Sequence, residues 1–262
     1  MPSFEEYGEK YPDIRMERKN GIVQMTLNTD GGPFTWTARS HQALGDAFED
    51  VGSDRENKVV ILTGTGDNFL TNVNYPMPSW TPGAWDTIIW RQKRVLMRLL
   101  DIEMPIIAAV NGPATVHSEV PVLCDIVLAA ESAYFQDSRH ILWPTVPGDG
   151  VQIVWPHLLG TNRGRYFLLT GQKLSAQECL SLGVVNEVLP DDQLLARAWE
   201  LAEQLAKHPG AHDGSLVIPD GFDSRRLFTN HGQRTPAQAG HNGTHSGRCG
   251  AGIGSRRLRE SP

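Results

Sequence analysis

An α/β domain with parallel crossovers is the fold class that this sequence predicts. Three observations predict it: helical apolar spacing twice runs directly into a continuous apolar strand, glycine-containing turns close those strands, and the stretch after residue 150 reads as mostly helical. The alternation in residues 22–27 reads as a half-buried strand, paired with a shorter one near residues 14–16. Residues 37–51 carry helical spacing at Ala43, Leu44, Ala47, Phe48 and Val51. The β-branched run 58–63 follows and ends in Gly64, Thr65 and Gly66, so a helix feeds a buried strand. After a Pro-rich loop (Pro76, Pro78, Pro82), a helix over 85–100 leads into a strand over 105–110 and the turn Asn111, Gly112, Pro113. A third strand, 125–130, precedes a return near Tyr134 and Phe135 and the turn Pro147, Gly148, Asp149, Gly150. Helices are expected over 151–159, 163–170, 175–182 and 191–206, with a short strand at 184–188. Ser175 with Glu178 fits a capping box, and Gly183 fits a helix stop.

The bulk numbers narrow the function. A chain of 262 residues with 40% hydrophobic content holds one sizeable core. Lys and Arg number 24 against 30 Asp and Glu, a net charge of −6, so no basic field exists to hold a nucleic acid. No apolar run approaches a membrane span, and the first residues lack the basic and apolar regions of a leader, so a cytoplasmic protein is expected. Cys124, Cys179 and Cys249 are an odd number without CxxC spacing, which argues for buried apolar thiols and against a disulfide framework or zinc site.

Composition changes at the end of the last helix, dividing the chain into a catalytic domain over 12–206 and a tail over 207–262. From His208 onward lie ten of the 26 glycines, five of the nine histidines and seven arginines, with no lysine and no apolar period. Such a stretch cannot bury a core, so disorder is expected. It is also what a GC-rich gene yields when read out of frame; translating the other frames after about codon 207 should reveal an amphipathic helical sequence. The tail histidines lack metal-ligand spacing, and neither metal nor cofactor is expected.

Several blocks in order resemble the enoyl-CoA hydratase/isomerase (crotonase) family: residues 62–69, 106–114, 124–135, 169–172 and 176–187. The resemblance spans roughly residues 12–206. It implies a spiral of ββα units with a C-terminal helical region, truncated or altered here, and assembly as a homotrimer or dimer of trimers. Thioester-using members continue the Phe69 block with an Ala-Gly pair and the Asn111 block with a glycine run, whose backbone N–H groups form an oxyanion hole. Here those places read Leu70, Thr71, Asn72, Val73 and Thr115, Val116, His117, Ser118. The thioester hole is therefore expected to be disabled. Glu119 matches one hydratase carboxylate, but His140 stands at the position of the second.

The altered pattern is similar to the branch of β-diketone hydrolases that includes 6-oxocamphor hydrolase. It is carried by Trp36, Thr37, the segment 111–119, Phe135 to Asp137 with His140, 146–150, 155–157 and 162–171. That likeness implies a cofactor-free hydrolase of a carbon–carbon bond in a cyclic or bicyclic β-diketone. It makes His140 the base, Asp149 its carboxylate partner, and His117 and Trp36 donors to the substrate carbonyls. The branch also uses an acidic residue on a C-terminal helix, which has no counterpart here. Tyr75, Trp80 and Trp143 are pocket-lining candidates, with ordinary packing as the competing reading.

Each assignment has a plainer rival. Asp149 stands where a turn or a helix N-cap favours Asp. His140, beside Ile141, Leu142 and Trp143, could be a hydrogen-bonded core histidine, His117 a solvated loop residue, and Trp36 simple packing. His41 and His157 are assigned to structure or surface. At the level of function, the alternatives are an enoyl-CoA hydratase or isomerase acting on acyl-CoA thioesters, and an inactive member of the fold.

Overall fold

The computed structural model describes residues 1–74, 81–142 and 147–208. Its centre is a sheet of β1 (Ile14–Lys19), β2 (Ile22–Thr29), β3 (Val59–Thr63), β4 (Ile106–Val110), β5 (Ile126–Ala130) and β6 (Glu187–Leu189). These strands lie side by side in chain order, with the two-residue strand Gly32–Pro33 added to β2. Only β1 and Gly32–Pro33 run antiparallel to β2; every later pairing is parallel. Strands β3 and β4 are buried at every position, which explains their unbroken apolar runs: both faces are covered, so no polar alternation is required.

Helices α1 (Ala38–Ser53) and α2 (Pro82–Leu100) make the first two crossovers and pack on each other. Thr37 caps α1, its hydroxyl accepting from the Ser40 amide at 3.0 Å. After β5 the chain forms α3 (Val151–Leu159), α4 (Thr161–Thr170), α5 (Ala176–Ser181) and α6 (Leu194–Ala206). The capping box at Ser175 and Glu178 and the left-handed Gly183 (φ +73°) stand where the sequence predicts them. Helix α6 lies against β2 to β5, and Trp199 Nε1 donates to Gln24 Oε1 at 2.7 Å, fastening the helix to the sheet. The tail from residue 209 onward, with the frame and disorder readings attached to it, lies outside the described residues.

The strand ends organise the site. Gly112 packs so closely under the turn after β3 that a Cβ there would lie 2.1 Å from the Asp67 carbonyl oxygen. Leu70, Ala114 and Phe135 then line up as parallel bridges, so three loops run side by side beyond the sheet. A second small sheet pairs Thr35–Trp36 with Asn72–Val73, and Asn74 N–H donates to Trp36 O at 2.8 Å. No described helix is long and apolar enough to cross a membrane.

Candidate active site

The loop after β4 carries His117 in the left-handed region at φ +52°, a conformation disfavoured for residues with a Cβ. Both flanks hold it there. Thr115 and Val116 donate their amides to Leu70 O at 2.8 and 3.0 Å, and Val120 N–H donates to His117 O at 3.1 Å. In the segment that stands in place of the glycine run, the Val116 amide is bonded to Leu70.

Buried Trp36 and His41 form a ring cluster with the largely buried His117, with ring centroids 4.4 Å apart for Trp36 and His41 and 4.6 Å for Trp36 and His117. The hydrogen bonds fix the tautomers. His41 Nδ1 lies 2.9 Å from Thr37 O, which can only accept, so Nδ1 carries the proton. Burial, followed by the nearby charge of His117, lowers the His41 pKa to about 3, so this ring is neutral and its Nε2 accepts. His117 Nε2 at 3.0 Å is therefore the donor to His41, and His117 Nδ1 turns toward Glu119 Oε1 at 2.8 Å.

Glu119 is fully buried. Burial raises its pKa. Burial alone would lower that of His117, but the charge and hydrogen bond of Glu119 and the charge of Asp149 outweigh it and raise it. The short Nδ1 to Oε1 contact thus holds a proton between the two groups.

His140 sits on the short helix Arg139–Leu142, one turn beyond Asp137. Its Nδ1 lies 2.9 Å from both Asp137 oxygens, while its Nε2 is 3.6 Å from Asp149 Oδ2. Burial alone would lower the His140 pKa; the Asp137 hydrogen bond and the charges of Asp149, Asp137 and Glu119 prevail and lift it to about 9. Asp149 Oδ2 also lies 3.8 Å from His117 Nδ1, so this carboxylate stands between the two imidazoles. The N-cap of α3 is Gly150, with φ +134°, and Asp149 is not its cap. Its Oδ1, like Glu119 Oε2 and Trp36 Nε1, is buried with no hydrogen-bond partner among the described residues. Such groups are costly to bury, which marks this spot as built for something other than stability.

The sequence-derived residues Trp36, His117, His140 and Asp149 therefore meet at one place. Tyr75, Trp80 and Trp143 lie outside the described residues. Two further members are His41 and Asp137. His41 belongs to the buried face of α1, where positions 41, 44, 48 and 51 form one apolar stripe, a signal that the sequence contains. Asp137 precedes His140 by three residues, the spacing at which a carboxylate and a ring on one helical turn meet. His157 is exposed, as expected. Behind the cluster, Trp155 Nε1 donates to Ser118 Oγ at 3.0 Å and stacks on Phe167, tying α3 and α4 to the loop bearing His117 and Glu119.

A parallel spiral with its reactive groups on loops beyond the strand ends defines the crotonase fold, and the chain belongs to the enoyl-CoA hydratase/isomerase family, whose model matches residues 17–216. Within that family it is 47% identical to a β-diketone hydrolase from the cyanobacterium Anabaena. Their structures superpose with a TM-score of 0.75 over 80% of this chain and 84% of that one, and that structure holds (S)-3-oxocyclohexyl acetic acid. It is 29% identical to a probable enoyl-CoA hydratase of Mycobacterium tuberculosis, over 79% of this chain and 76% of that protein. It is 30% identical to a carnitinyl-CoA dehydratase of Salmonella typhimurium, over 73% of this chain and 74% of that protein.

Proposed function

We propose that this chain hydrolyses a carbon–carbon bond of a cyclic or bicyclic β-diketone, giving a keto acid without a cofactor. The observation that carries the reading is the meeting of His140, Asp149, His117 and Trp36 at a loop whose Val116 amide is bonded to Leu70. The ligand of the Anabaena relative agrees with it. Removing water from that keto acid and joining its carboxyl carbon to the ring carbon on the far side of the ketone gives a bicyclic β-diketone.

Neutral His140 takes a proton from water through Nε2, the ring atom that Asp137 leaves open. Hydroxide adds to one carbonyl carbon. The tetrahedral intermediate collapses by breaking the bond to the carbon between the carbonyls, and the second carbonyl holds the electron pair as an enolate. Protonated His140, steadied by Asp137 and Asp149, returns the proton to that carbon. One water is consumed and one acid formed. Trp36 Nε1–H, buried with no acceptor among the described residues, is a donor available to a substrate carbonyl. His117 Nε2–H can join it only by leaving His41. Attack on only one of the two carbonyls of a symmetric bicyclic diketone makes the product acid a single enantiomer.

The test is a panel of cyclic 1,3-diketones with wild type, His140→Ala and Asp149→Asn, measured beside an enoyl-CoA thioester. Diketone turnover that both substitutions reduce supports the reading. Thioester turnover without diketone turnover overturns it in favour of hydratase chemistry.

A further inference from the structure

We infer that His117, Glu119 and Asp149 form a binding site for a divalent transition cation of the zinc type, and that its occupancy blocks the hydrolase. The blocking half rests on the reaction proposed above, while the binding half stands on geometry alone. Each of the three residues offers one ligand atom, and the three atoms lie within 4.8 Å of one another. His117 Nδ1 is 2.8 Å from Glu119 Oε1 and 3.8 Å from Asp149 Oδ2. Those separations bracket the edge of about 3.4 Å that a tetrahedral site with bonds of about 2.1 Å requires. The remaining pair, Glu119 and Asp149, lies within 4.8 Å, so the two carboxylates would close by up to about 1.4 Å, a side-chain rotation, to seat the ion.

Two further observations point to a ligand. Glu119 Oε2 and Asp149 Oδ1 are buried, and neither has a hydrogen-bond partner among the described residues. A cation bound through both oxygens of each carboxylate would satisfy these atoms as well, and its charge would offset the repulsion between the carboxylates. The rings are also held as metal-binding histidines are held. His117 gives Nε2–H to His41, itself anchored on Thr37 O, which leaves Nδ1 as the coordinating atom. His140 Nε2, with its Nδ1 fixed by Asp137, lies 3.6 Å from Asp149 Oδ2. An imidazole with two carboxylates suits zinc and its neighbours, whereas magnesium and calcium take oxygen ligands. Coordination would displace the proton that His117 Nδ1 shares with Glu119 and occupy the Asp149 lone pairs that steady protonated His140.

The experiment uses the full chain, stripped with chelator and titrated with Zn²⁺ alone by equilibrium dialysis, with Co²⁺ absorption as a second readout. Wild type is compared with Glu119→Gln and Asp149→Asn, each checked for a native thermal melt. One tight equivalent is expected, weakened by about tenfold or more in either variant, together with loss of the Co²⁺ visible band. The tail carries five histidines of its own. Uptake identical in wild type and both variants therefore assigns the metal elsewhere and overturns the site, as does no uptake at all. In parallel, diketone turnover should fall in proportion to occupancy and return on chelation. Full turnover with the site filled overturns the block. No turnover after chelation, with variant-sensitive zinc binding intact, sinks the hydrolase reading and the block together while upholding the site.

Discussion

A general base must be unprotonated when its substrate arrives, and His140 is held against that state. With a pKa of about 9 it is protonated at neutral pH, and only about 1% of the molecules carry the neutral ring at pH 7. The rate measured in chelator-treated buffer should therefore rise with pH toward about 9. Asp137→Asn removes the charge and leaves only a neutral acceptor for the ring N–H, so this limb should move to lower pH while the plateau falls; an unmoved limb would detach Asp137 from the base. Trp36→Phe keeps an aromatic ring and deletes a buried donor that has no acceptor among the described residues. It should lower kcat by about a hundredfold if that N–H serves the developing oxyanion, with little change in KM. Sequence reasoning reaches Trp36, His117, His140 and Asp149 through their place in the altered blocks. It does not reach the partners, because which of three carboxylates touches which ring nitrogen depends on loops brought together only by folding. Asp149 faces His140 Nε2 at 3.6 Å, while Asp137 bonds the other ring nitrogen and Asp149 also lies 3.8 Å from His117 Nδ1.

At the scale of elements, the buried strands were legible because continuous β-branched runs have little alternative, and the helices because Leu44, Phe48 and Val51 repeat at helical spacing. The short helices Glu119–Val122 and Arg139–Leu142 were not, since four residues are too few to carry a period. They nevertheless set the positions of Glu119 and His140. Their setting depends on close backbone contacts at the strand ends. Gly112→Ala would drive a methyl group into the Asp67 carbonyl, 2.1 Å away, and is expected to cost about 2 kcal/mol or more in a denaturant titration. Activity should fall with it, because the same turn carries the loop on which His117 sits.

For the whole molecule, two of the three perturbed histidines, His41 and His140, shape stability in opposite directions. The folded pKa of His41 lies below the unfolded value of about 6.5, so between pH 6.5 and about 3 the unfolded chain binds the extra proton and stability falls as pH falls. That of His140 lies above, so its contribution is complete below pH 6.5 and is lost as pH rises through about 9. Thermal melts across pH should show both limbs, with Asp137→Asn flattening the alkaline one and His41→Gln the acid one. Activity that climbs with pH while stability declines would be the joint signature of one histidine poised as a base. The most direct measurement is turnover of a bicyclic β-diketone by wild type and Asp149→Asn, with the product resolved on a chiral column. Rapid formation of one keto-acid enantiomer by wild type, with kcat reduced in the variant, is the predicted result. Equal rates, or conversion of an enoyl-CoA thioester in place of the diketone, would contradict it.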